Sequence, residues 1–500
     1  MLLSTFPILS ISIWTPIVCG LLIFTIFRNK NSQLIRILSL ISALFSFFIT
    51  LPIFKYFNIQ FHGIQFIEKK IWIDYFNIYY FIGIDGLSLW FIPLTAFITL
   101  IIILISLDIK KKSAEYMSAF LILSGLIIGA FCALDGMLFY IFFEATLIPI
   151  FIIIGTWGGS NRSYAAIKFF LYTLMGSLLM LISIIYLYFI SNKSFNILIW
   201  HQLPITKIEQ IWLFITFFIA FSIKIPIWPM HTWLPDAHVE APTEGSVILA
   251  AIMLKLGCYG LLRFSLPIFP DASYYFSNFI ITLSLISIIY ISLIAIVQID
   301  IKKLIAYSSI AHMGFVILGI FMLTKIGIQG AIIQMISHAL ISSAMFISIG
   351  FLYNQIHTRL ISNFGGIVNV IPHFSVFFII FSLANCSLPG TSGFIGEFMI
   401  ILSVVKFNFW IGALTATALI FSAAYSLLLS KNIIFGTITN NKIIKLTNFN
   451  KREFLILGLF IILIIFIGLY PKPIVNSMKV SISDLLKHVV ISKINYNNDK

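Results

Sequence analysis

The chain has 500 residues, of which 60% are hydrophobic and 10% are charged, and its formal net charge is +14. A mean hydropathy of +1.07 excludes a set of ordinary soluble domains, because such a composition requires lipid as the main solvent. The lysines and arginines are scattered over short segments between apolar runs. They therefore indicate membrane topology and argue against nucleic acid as a partner.

Apolar runs of roughly 18 to 25 residues predict an all-α, polytopic membrane protein of about fourteen transmembrane helices. Lysine and arginine are more frequent in the odd-numbered loops, which by the positive-inside rule face the cytoplasm. An even number of spans then places both termini on the periplasmic side. The predicted spans lie near residues 6–27, 35–54, 86–107, 116–134, 136–155, 165–190, 209–227, 243–264, 276–298, 303–323, 328–352, 374–404, 411–430 and 453–470.

Cysteine usage argues against a metal or redox centre in this chain. The four cysteines are isolated, without the paired spacing that indicates an iron–sulfur cluster, a zinc site or a disulfide framework. Flavin and nicotinamide motifs are also missing from the sequence, so we expect no cofactor in this chain. The four are Cys19, Cys132, Cys258 and Cys386.

The segment from Lys55 to Asp85 is rich in aromatic residues, such as Trp72, Tyr75 and Tyr79. Trp and Tyr side chains prefer the headgroup level of a bilayer. We therefore expect this segment to be a loop at the membrane surface.

The fifth predicted span carries Glu144 in the middle of an apolar run. Its nearest ionisable neighbour along the chain, Asp135, is about 13 Å of helix away. A lone carboxylate in hydrocarbon is neutralised or paired, so Glu144 is either a neutral carboxyl bonded to a carbonyl or the partner of a group on another helix. We favour the second interpretation.

Lys224 ends the seventh apolar run and is followed by Pro226 and Pro229. Proline lacks the N–H group that a helix requires, which frees the carbonyls of Ser222 and Ile225 and predicts a break. Broken membrane helices face protein or water and often line ion paths. The alternative is a lysine at a helix end that reaches the membrane surface.

Two histidines, His231 and His238, lie in the polar connection after this break. Their spacing, with Pro235 between them, does not place both imidazoles on one helix face and so argues against a zinc site. We expect a polar loop or a proton-accessible mouth.

Lys255 lies near the centre of the eighth predicted span, with small neighbours at Ala250, Ala251 and Gly257. Small residues permit close approach of another helix. A lysine at this depth is too far from the membrane surface to reach it, so an ionisable function is the default hypothesis.

The second half of the chain repeats the pattern of the first. Three pairs of positions share nearly constant offsets, which indicates a duplication of five spans, 4–8 and 9–13. Because five is odd, the two copies have opposite orientations, as in many transporters. The offsets are 168 for Glu144 and His312, 166 for Tyr172 and His338, and 163 for Pro226 and Pro389.

Pro389 predicts that the twelfth span also breaks, directly before Glu397. We predict that residues 1–108 form spans 1–3, residues 109–266 the first repeat and residues 267–432 the second repeat. Residues 433–500 then form a cytoplasmic loop, the last span and a C-terminal tail.

Six sequence blocks in combination give the chain a recognisable family likeness. At these blocks it resembles the antiporter-like membrane subunits of respiratory complex I. They are GIDGLSLWFIPLTAF (83–97), FFEATLIPIFIIIGTWGG (142–159), IKFFLYTLMGSLLM (167–180), FSIKIPIWPMHTWLPDAHVEAPTEGSVILAAIMLKLGCYGLLRF (221–264), DIKKLIAYSSIAHMGFVILGI (300–320) and SLPGTSGFIGEFMI (387–400).

The resemblance implies two inverted five-helix bundles, each with a half-channel, and a polar axis along the membrane. A glutamate instead of a lysine at position 397 favours the M-type branch, with L- and N-type subunits as neighbouring partners in the bilayer. NAD, FMN, iron–sulfur clusters and quinone are then expected in partner subunits. The implied proton-relay residues are Glu144, Lys224, Lys255, His312, His338 and Glu397.

The mechanism that follows from the resemblance is a proton-translocating module of NADH–quinone oxidoreductase. Opening a Glu144–Lys224 pair would push a proton to Lys255 and onward through the histidines to Glu397. Rival hypotheses are the D-type subunit of a multi-subunit Na⁺/H⁺ antiporter and a passive scaffold. The C-terminus favours a bacterial inner membrane over the mitochondrial inner membrane.

Two positions depart from the pattern of the resembled family. Glu244 stands where a small residue is expected, and Ser387 stands where many relatives have glycine. Glu244 either adds a carboxylate at the channel mouth or faces solvent at a helix start, where a negative charge suits the helix dipole.

Overall fold

The computed structural model describes residues 7–28, 31–109, 111–438 and 440–490. Within these ranges, twelve helices are long and apolar enough to cross a membrane. Each coincides with one predicted span, so the all-α polytopic fold is confirmed. The twelve are Ile8–Thr25, Ser32–Tyr56, Phe91–Asp108, Ser113–Cys132, Gly136–Trp157, Arg162–Ile190, Thr243–Ile268, Pro270–Ile296, Ile301–Phe321, Lys325–Ile356, Phe409–Phe435 and Lys451–Leu469.

The two remaining predicted spans, the seventh and the twelfth, are the ones interrupted by proline. The helix Lys207–Lys224 ends at Lys224, and a short helix, Trp233–Glu240, follows after a stretch of turns. The twelfth span consists of Pro372–Asn385 and Ser392–Phe407, with a non-helical connection between them. Both predicted breaks are confirmed, and each lies beside a charged residue of the predicted relay.

The eighth span contains two irregularities that its sequence did not predict. Wider π-helical turns, Leu249–Met253 and Leu261–Ser265, flank the α-helical segment Leu254–Gly260. Such turns are rare and are often found at functional sites. Lys255 is the second residue of the segment between them.

The segment between the second and third spans contains a β-hairpin, which the sequence did not predict, and its place at the membrane surface stays a prediction. Strands Gln65–Ile73 and Ile78–Ile84 pair antiparallel. A 3₁₀ turn, Asp74–Phe76, joins them, and Asn77 adopts the left-handed conformation with φ 52°. Asparagine tolerates that conformation better than most residues, which allows the tight turn.

The C-terminal tail forms an amphipathic helix, Lys472–Val490. Met478 and Ile482 on one side are fully buried. On the same helix Ser477 Oγ accepts a hydrogen bond from Trp90 Nε1 (2.8 Å), and Ser481 Oγ accepts one from the backbone N–H of Gly86 (2.9 Å). The tail is therefore an integral part of the fold. Short helices Ile197–Trp200, Ile361–Asn363, Ile367–Asn369 and Asn441–Ile444 complete the elements.

A repeated capping arrangement supports the predicted duplication. Asp135 begins the fifth span, and its carboxylate accepts two backbone N–H hydrogen bonds from the first helical turn. Asp300 does the same for the tenth span, 165 positions later. Each aspartate also forms an isolated antiparallel β-bridge, Asp135 with Asn196 and Asp300 with Leu360.

The chain folds as two compact units. The first unit comprises the described residues of Met1–Ile225, Ile252–Ser277 and Asn476–Lys500, and the second comprises those of Pro226–Ala251 and Asn278–Val475. The predicted domain boundaries at residues 108, 266 and 432 stay a prediction. The first unit holds Glu144, Lys224 and Lys255, and the second holds His312, His338 and Glu397.

Two helices that carry residues of the predicted relay are the most deeply buried of the twelve. The apolar stretches of Thr243–Ile268 and Lys325–Ile356 are 100% buried inside the protein, whereas that of Ser32–Tyr56 is only 28% buried. Lys255 and His338 are thus shielded from lipid by other helices, as the cost of a charge in hydrocarbon demands.

Candidate functional site

In the first unit, Lys224 occupies the last position of the helix that breaks. Its side chain is buried, at 2% exposure. The ammonium Nζ donates to Thr146 Oγ1 (3.3 Å) and lies 4.8 Å from the centre of the Phe143 ring. Contacts with a hydroxyl group and an aromatic face stabilise a buried cation, but they do not neutralise its charge.

Along the sequence, Glu144 lies between Phe143 and Thr146, the two residues that contact Lys224. The carboxylate interacts electrostatically with Lys224 and with the side chain of Ser177. Among the described residues, its buried Oε2 atom has no hydrogen-bond partner, and no direct ion pair joins Glu144 to Lys224. The two charges are therefore neighbours without a direct bond, and an acceptor atom of Glu144 is left available for a proton.

Lys255 is completely buried, at 0% exposure. Gly257, two residues later, lies against the end of the broken helix. A Cβ atom on this glycine would come within 2.6 Å of Ile225 Cγ1 and 2.9 Å of the Phe221 carbonyl oxygen. The small residue noted in the sequence thus permits the eighth span to contact the broken seventh span directly.

In the second unit, Glu397 is the centre of a hydrogen-bonded cluster and is 1% exposed. His312 Nδ1 lies 2.7 Å from its Oε1 atom, and Gln334 Nε2 donates to the same oxygen (2.9 Å). Ser387 Oγ donates to Oε2 (2.6 Å). On the far side of the imidazole, His312 Nε2 and the Tyr425 hydroxyl are 3.2 Å apart.

His338 lies beside this cluster. Its ring centre is 5.7 Å from that of His312, and its side chain is 3% exposed. The three predicted residues of the second unit, His312, His338 and Glu397, therefore come together in one buried site.

The two histidines of the connection after Lys224 lie in different environments. His238 is fully buried and stacks on Phe346, with ring centres 4.8 Å apart. The ring centres of His231 and Tyr307 are 6.5 Å apart. Residues 233–240 form a helix, so the expected polar loop is only partly correct.

Comparisons with known proteins place this geometry in a family. The family model described as NADH:quinone oxidoreductase/Mrp antiporter, TM, matches residues 133–422. NADH-ubiquinone oxidoreductase chain 4 of Marchantia polymorpha is 47% identical over 471 residues, which cover 94% of this chain and 95% of that relative. NADH-quinone oxidoreductase subunit M of Rickettsia prowazekii is 46% identical over 486 residues, which cover 96% of this chain and 99% of that relative.

The chain belongs to the NADH:quinone oxidoreductase/Mrp antiporter family. Two solved structures share its fold. A chain of respiratory complex I from Thermus thermophilus with bound NADH has a TM-score of 0.87 and 27% identity, covering 96% of this chain and 99% of that one. A chain of the Mrp complex from Dietzia has a TM-score of 0.81 and 20% identity, and the match covers 98% of this chain and 56% of that one. The second is a likeness of fold alone.

The first departure from the family pattern, Ser387, has a structural explanation. Its φ angle is +59°, a left-handed conformation in which glycine is favoured. The serine hydroxyl donates to Glu397, and a hydrogen bond to a charged group contributes about 1.5 to 3 kcal/mol. That bond offsets the strain of a Cβ atom in this region.

Two substitutions of Ser387 separate these effects. Ser387→Ala keeps the strain and loses the hydroxyl, so we expect about 1 to 3 kcal/mol of destabilisation. Ser387→Gly loses the hydroxyl but also relieves the strain, and should be less destabilised. The midpoint of thermal inactivation of the purified complex measures both, with the unaltered complex as reference. An alanine variant at least as stable as the glycine variant would contradict the explanation.

Glu244, the second residue that departs from the family pattern, belongs to a buried cluster of charged residues. It is 8% exposed and interacts electrostatically with Lys302, which is 3% exposed. Lys302 Nζ also donates to the Ala241 carbonyl oxygen (2.8 Å). The alternative in which Glu244 faces solvent is therefore wrong, because the carboxylate faces a buried lysine.

Arg359, which no sequence motif marks, extends this cluster. Its Nη1 atom donates to the Val239 carbonyl oxygen. Its Nε atom lies 3.5 Å from Asp300 Oδ2, and its Nη2 atom lies 3.9 Å from Glu240 Oε1. One arginine thus joins the end of the helix Trp233–Glu240 to the start of the tenth span.

A buried ion pair in the first unit was also missed. Arg263 Nη2 donates to Asp85 Oδ1 at 2.6 Å, and the two side chains are 7% and 9% exposed. Arg263 Nε donates to the Tyr259 hydroxyl (3.0 Å), which donates to the Phe131 carbonyl oxygen (2.9 Å). The partners are 178 positions apart, so no local pattern signals the pair.

Proposed function

We propose that this chain is the M-type proton-translocating membrane subunit of an NADH–quinone oxidoreductase. The observation that carries the proposal is the pair of buried sites, each beside a broken helix. One holds Lys224 next to Glu144, and the other holds Glu397 bonded to His312. Buried ionisable groups at helix breaks are a recurring feature of ion paths through membranes.

The proposed relay runs through the six predicted residues. Glu144 and Lys224 form the switch, because a carboxylate beside a lysine stabilises its charge and withdrawal of the carboxylate favours loss of the proton. Lys255 receives the proton, and His312 and His338 carry it to Glu397. Relatives named as subunits of NADH-quinone oxidoreductase, 46–47% identical over nearly the whole chain, support this assignment over the antiporter alternative.

Partner subunits supply the energy in this proposal. NAD, FMN, iron–sulfur clusters and quinone bind in those partners, and L- and N-type subunits flank this chain in the bilayer. We place the chain in a bacterial inner membrane with both termini periplasmic, and the mitochondrial inner membrane is the alternative.

Reconstitution of the purified complex in liposomes tests the function. Addition of NADH and a soluble quinone should drive proton uptake that is insensitive to the removal of sodium and is abolished by a protonophore. The antiporter alternative predicts instead that an imposed sodium gradient moves protons without NADH. Sodium-driven exchange together with no NADH-driven uptake would overturn the proposal.

A further inference from the structure

A groove in the first unit lies between three of the membrane spans. Its volume is about 440 Å³, which is within the usual range of ligand-binding pockets. Its walls come from the end of Ile8–Thr25, the start of Ser113–Cys132 and the second half of Gly136–Trp157. The apolar side chains of the walls include Leu21, Phe24, Ala119, Ile122, Ile148 and Ile152.

The walls of the groove are exposed, and they extend through half the thickness of a bilayer. Phe24 is 41% exposed, Ile148 is 59% exposed and Ile152 is 44% exposed, so these side chains face lipid or another molecule. Ile122 follows Lys112, at the mouth of the groove, by ten residues, or about 15 Å of helix. A hydrocarbon core is about 30 Å thick, so the groove has the depth of one leaflet.

The mouth of the groove is polar and positively charged. Arg28, Lys112 and Glu115 line it. Arg28 Nε lies 3.0 Å from Glu115 Oε1, and its guanidinium carbon is 5.8 Å from the centre of the Phe24 ring. The charges of Arg28 and Glu115 cancel, so among the described lining residues Lys112 leaves one net positive charge.

Two further features of the mouth suit a phosphate group at the membrane surface. Lys112 is the N-cap of Ser113–Cys132, and no described side chain caps the first turn of that helix. Such a helix start attracts anions through its N–H groups. Trp157 lines the groove and donates its indole N–H to the Lys111 carbonyl oxygen (3.0 Å). Because tryptophan is enriched at the headgroup level, we expect the mouth at that level.

We propose that this groove binds one anionic phospholipid. An acyl chain lies along the apolar walls, and the phosphate lies at Arg28, Lys112 and the first turn of Ser113–Cys132. Basic pockets between membrane spans are known to bind the headgroups of anionic lipids. An apolar helix of a partner subunit would cover the same walls but would supply no anion for the cationic mouth.

The bound lipid contacts a helix that begins next to the Lys224 site. Leu147–Trp157 starts directly after Thr146, whose hydroxyl accepts the hydrogen bond from Lys224. Ile148, near the start of that helix, lines the groove. Lipid binding goes beyond the proposed proton relay and is measured without NADH, so its outcome does not depend on that function.

Photo-crosslinking to the purified complex tests the site. The complex is stripped of lipid with detergent and placed in phosphatidylcholine liposomes with a trace of phosphatidylglycerol that carries a diazirine on its acyl chain. Mass spectrometry should find the label in residues 113–132 and 147–157. Unlabelled phosphatidylglycerol should displace the probe, whereas the same amount of additional phosphatidylcholine or of inorganic phosphate should not.

Removing the two cations tests the mouth of the groove. Each basic residue near an anionic lipid surface strengthens binding by about fivefold, so Arg28→Gln combined with Lys112→Gln should lower labelling at least about tenfold. Lys111→Gln is the matched control, because Lys111 is an exposed neighbour that does not line the groove. It should keep most of the labelling.

Filling the groove tests the walls without changing any charge. Ile152→Trp places a larger side chain in the groove and should also lower labelling. Ile182→Trp is its control, since Ile182 is 64% exposed on another helix, Arg162–Ile190, and should be labelled as the unaltered complex is.

Loss of label in the double variant and in Ile152→Trp, with both controls labelled, supports the phospholipid site. Equal labelling of the double variant and Lys111→Gln would overturn it, as would displacement by phosphatidylcholine as effective as by phosphatidylglycerol. Absence of label from both helices would overturn it as well and would indicate that a partner subunit covers the groove. If the double variant does not assemble, full labelling of Ile152→Trp overturns the site.

Discussion

Replacing Lys224 by methionine is expected to abolish proton pumping and to lower quinone-linked NADH turnover by at least about tenfold. Methionine fills a similar volume with an apolar chain, so assembly should be retained. The lost group is the ammonium that donates to Thr146 Oγ1 and lies over the Phe143 ring. Without the ammonium group, Glu144 loses its lysine partner, and the first step of the relay has no proton to transfer.

An arginine at the same position distinguishes charge from proton transfer. Lys224→Arg keeps a positive charge, but a guanidinium does not release its proton at physiological pH. We therefore expect it to lose pumping as methionine does. Lys207→Met is the control, because Lys207 lies at the exposed start of the same helix, Lys207–Lys224.

Three measurements on each variant make this result interpretable. Native gel electrophoresis reports assembly, NADH oxidation with ferricyanide reports the electron-input reaction alone, and dye quenching in inside-out vesicles reports pumping. Assembled Lys224→Met or Lys224→Arg complexes that pump at the unaltered rate would remove Lys224 from the relay.

Sequence patterns predicted the features that depend on local chemistry. Pro226 and Pro389 interrupt their helices because the missing N–H group acts wherever the residue is placed. Runs of apolar residues located all the spans, and constant offsets indicated the duplication that the paired caps of Asp135 and Asp300 now support. None of these inferences required a distant contact.

The features that the sequence did not predict depend on distant partners. Gln334 and Tyr425 are ordinary residues of apolar helices until the fold brings them to Glu397 and His312. The π turns around Lys255 leave no mark on the apolar pattern, since every side of that helix is buried. The β-hairpin was not predicted because its aromatic residues are equally typical of an irregular loop at a membrane surface.

Glu244 and Ser387 show how a departure from a family pattern is explained only by its neighbours. Each adds a polar group where a small residue was expected, and each has a buried partner, Lys302 for Glu244 and Glu397 for Ser387. The partner side chains also make several other polar contacts. Each change therefore extends an existing polar cluster, which is less costly than burying a polar group alone.

Breaking the ion pair between Asp85 and Arg263 is the second large expected effect. Arg263→Met leaves the Asp85 carboxylate buried without its cation, and removal of one partner of a buried pair costs about 3 to 5 kcal/mol. Asp85 also accepts backbone N–H hydrogen bonds from Leu87 (3.0 Å) and Ser88 (3.3 Å). Those bonds hold its side chain in place, so it cannot turn towards solvent to escape the cost.

The double variant Asp85→Asn with Arg263→Met isolates the charge from the packing. Asparagine keeps an oxygen acceptor for the two backbone N–H groups and carries no charge, so most of the lost stability should return when both partners are neutral. We expect the midpoint of thermal inactivation of the purified complex to fall furthest for Arg263→Met and to recover in the double variant. A double variant as unstable as Arg263→Met would show that Arg263 acts through its bond to Tyr259 and not through the charge of Asp85.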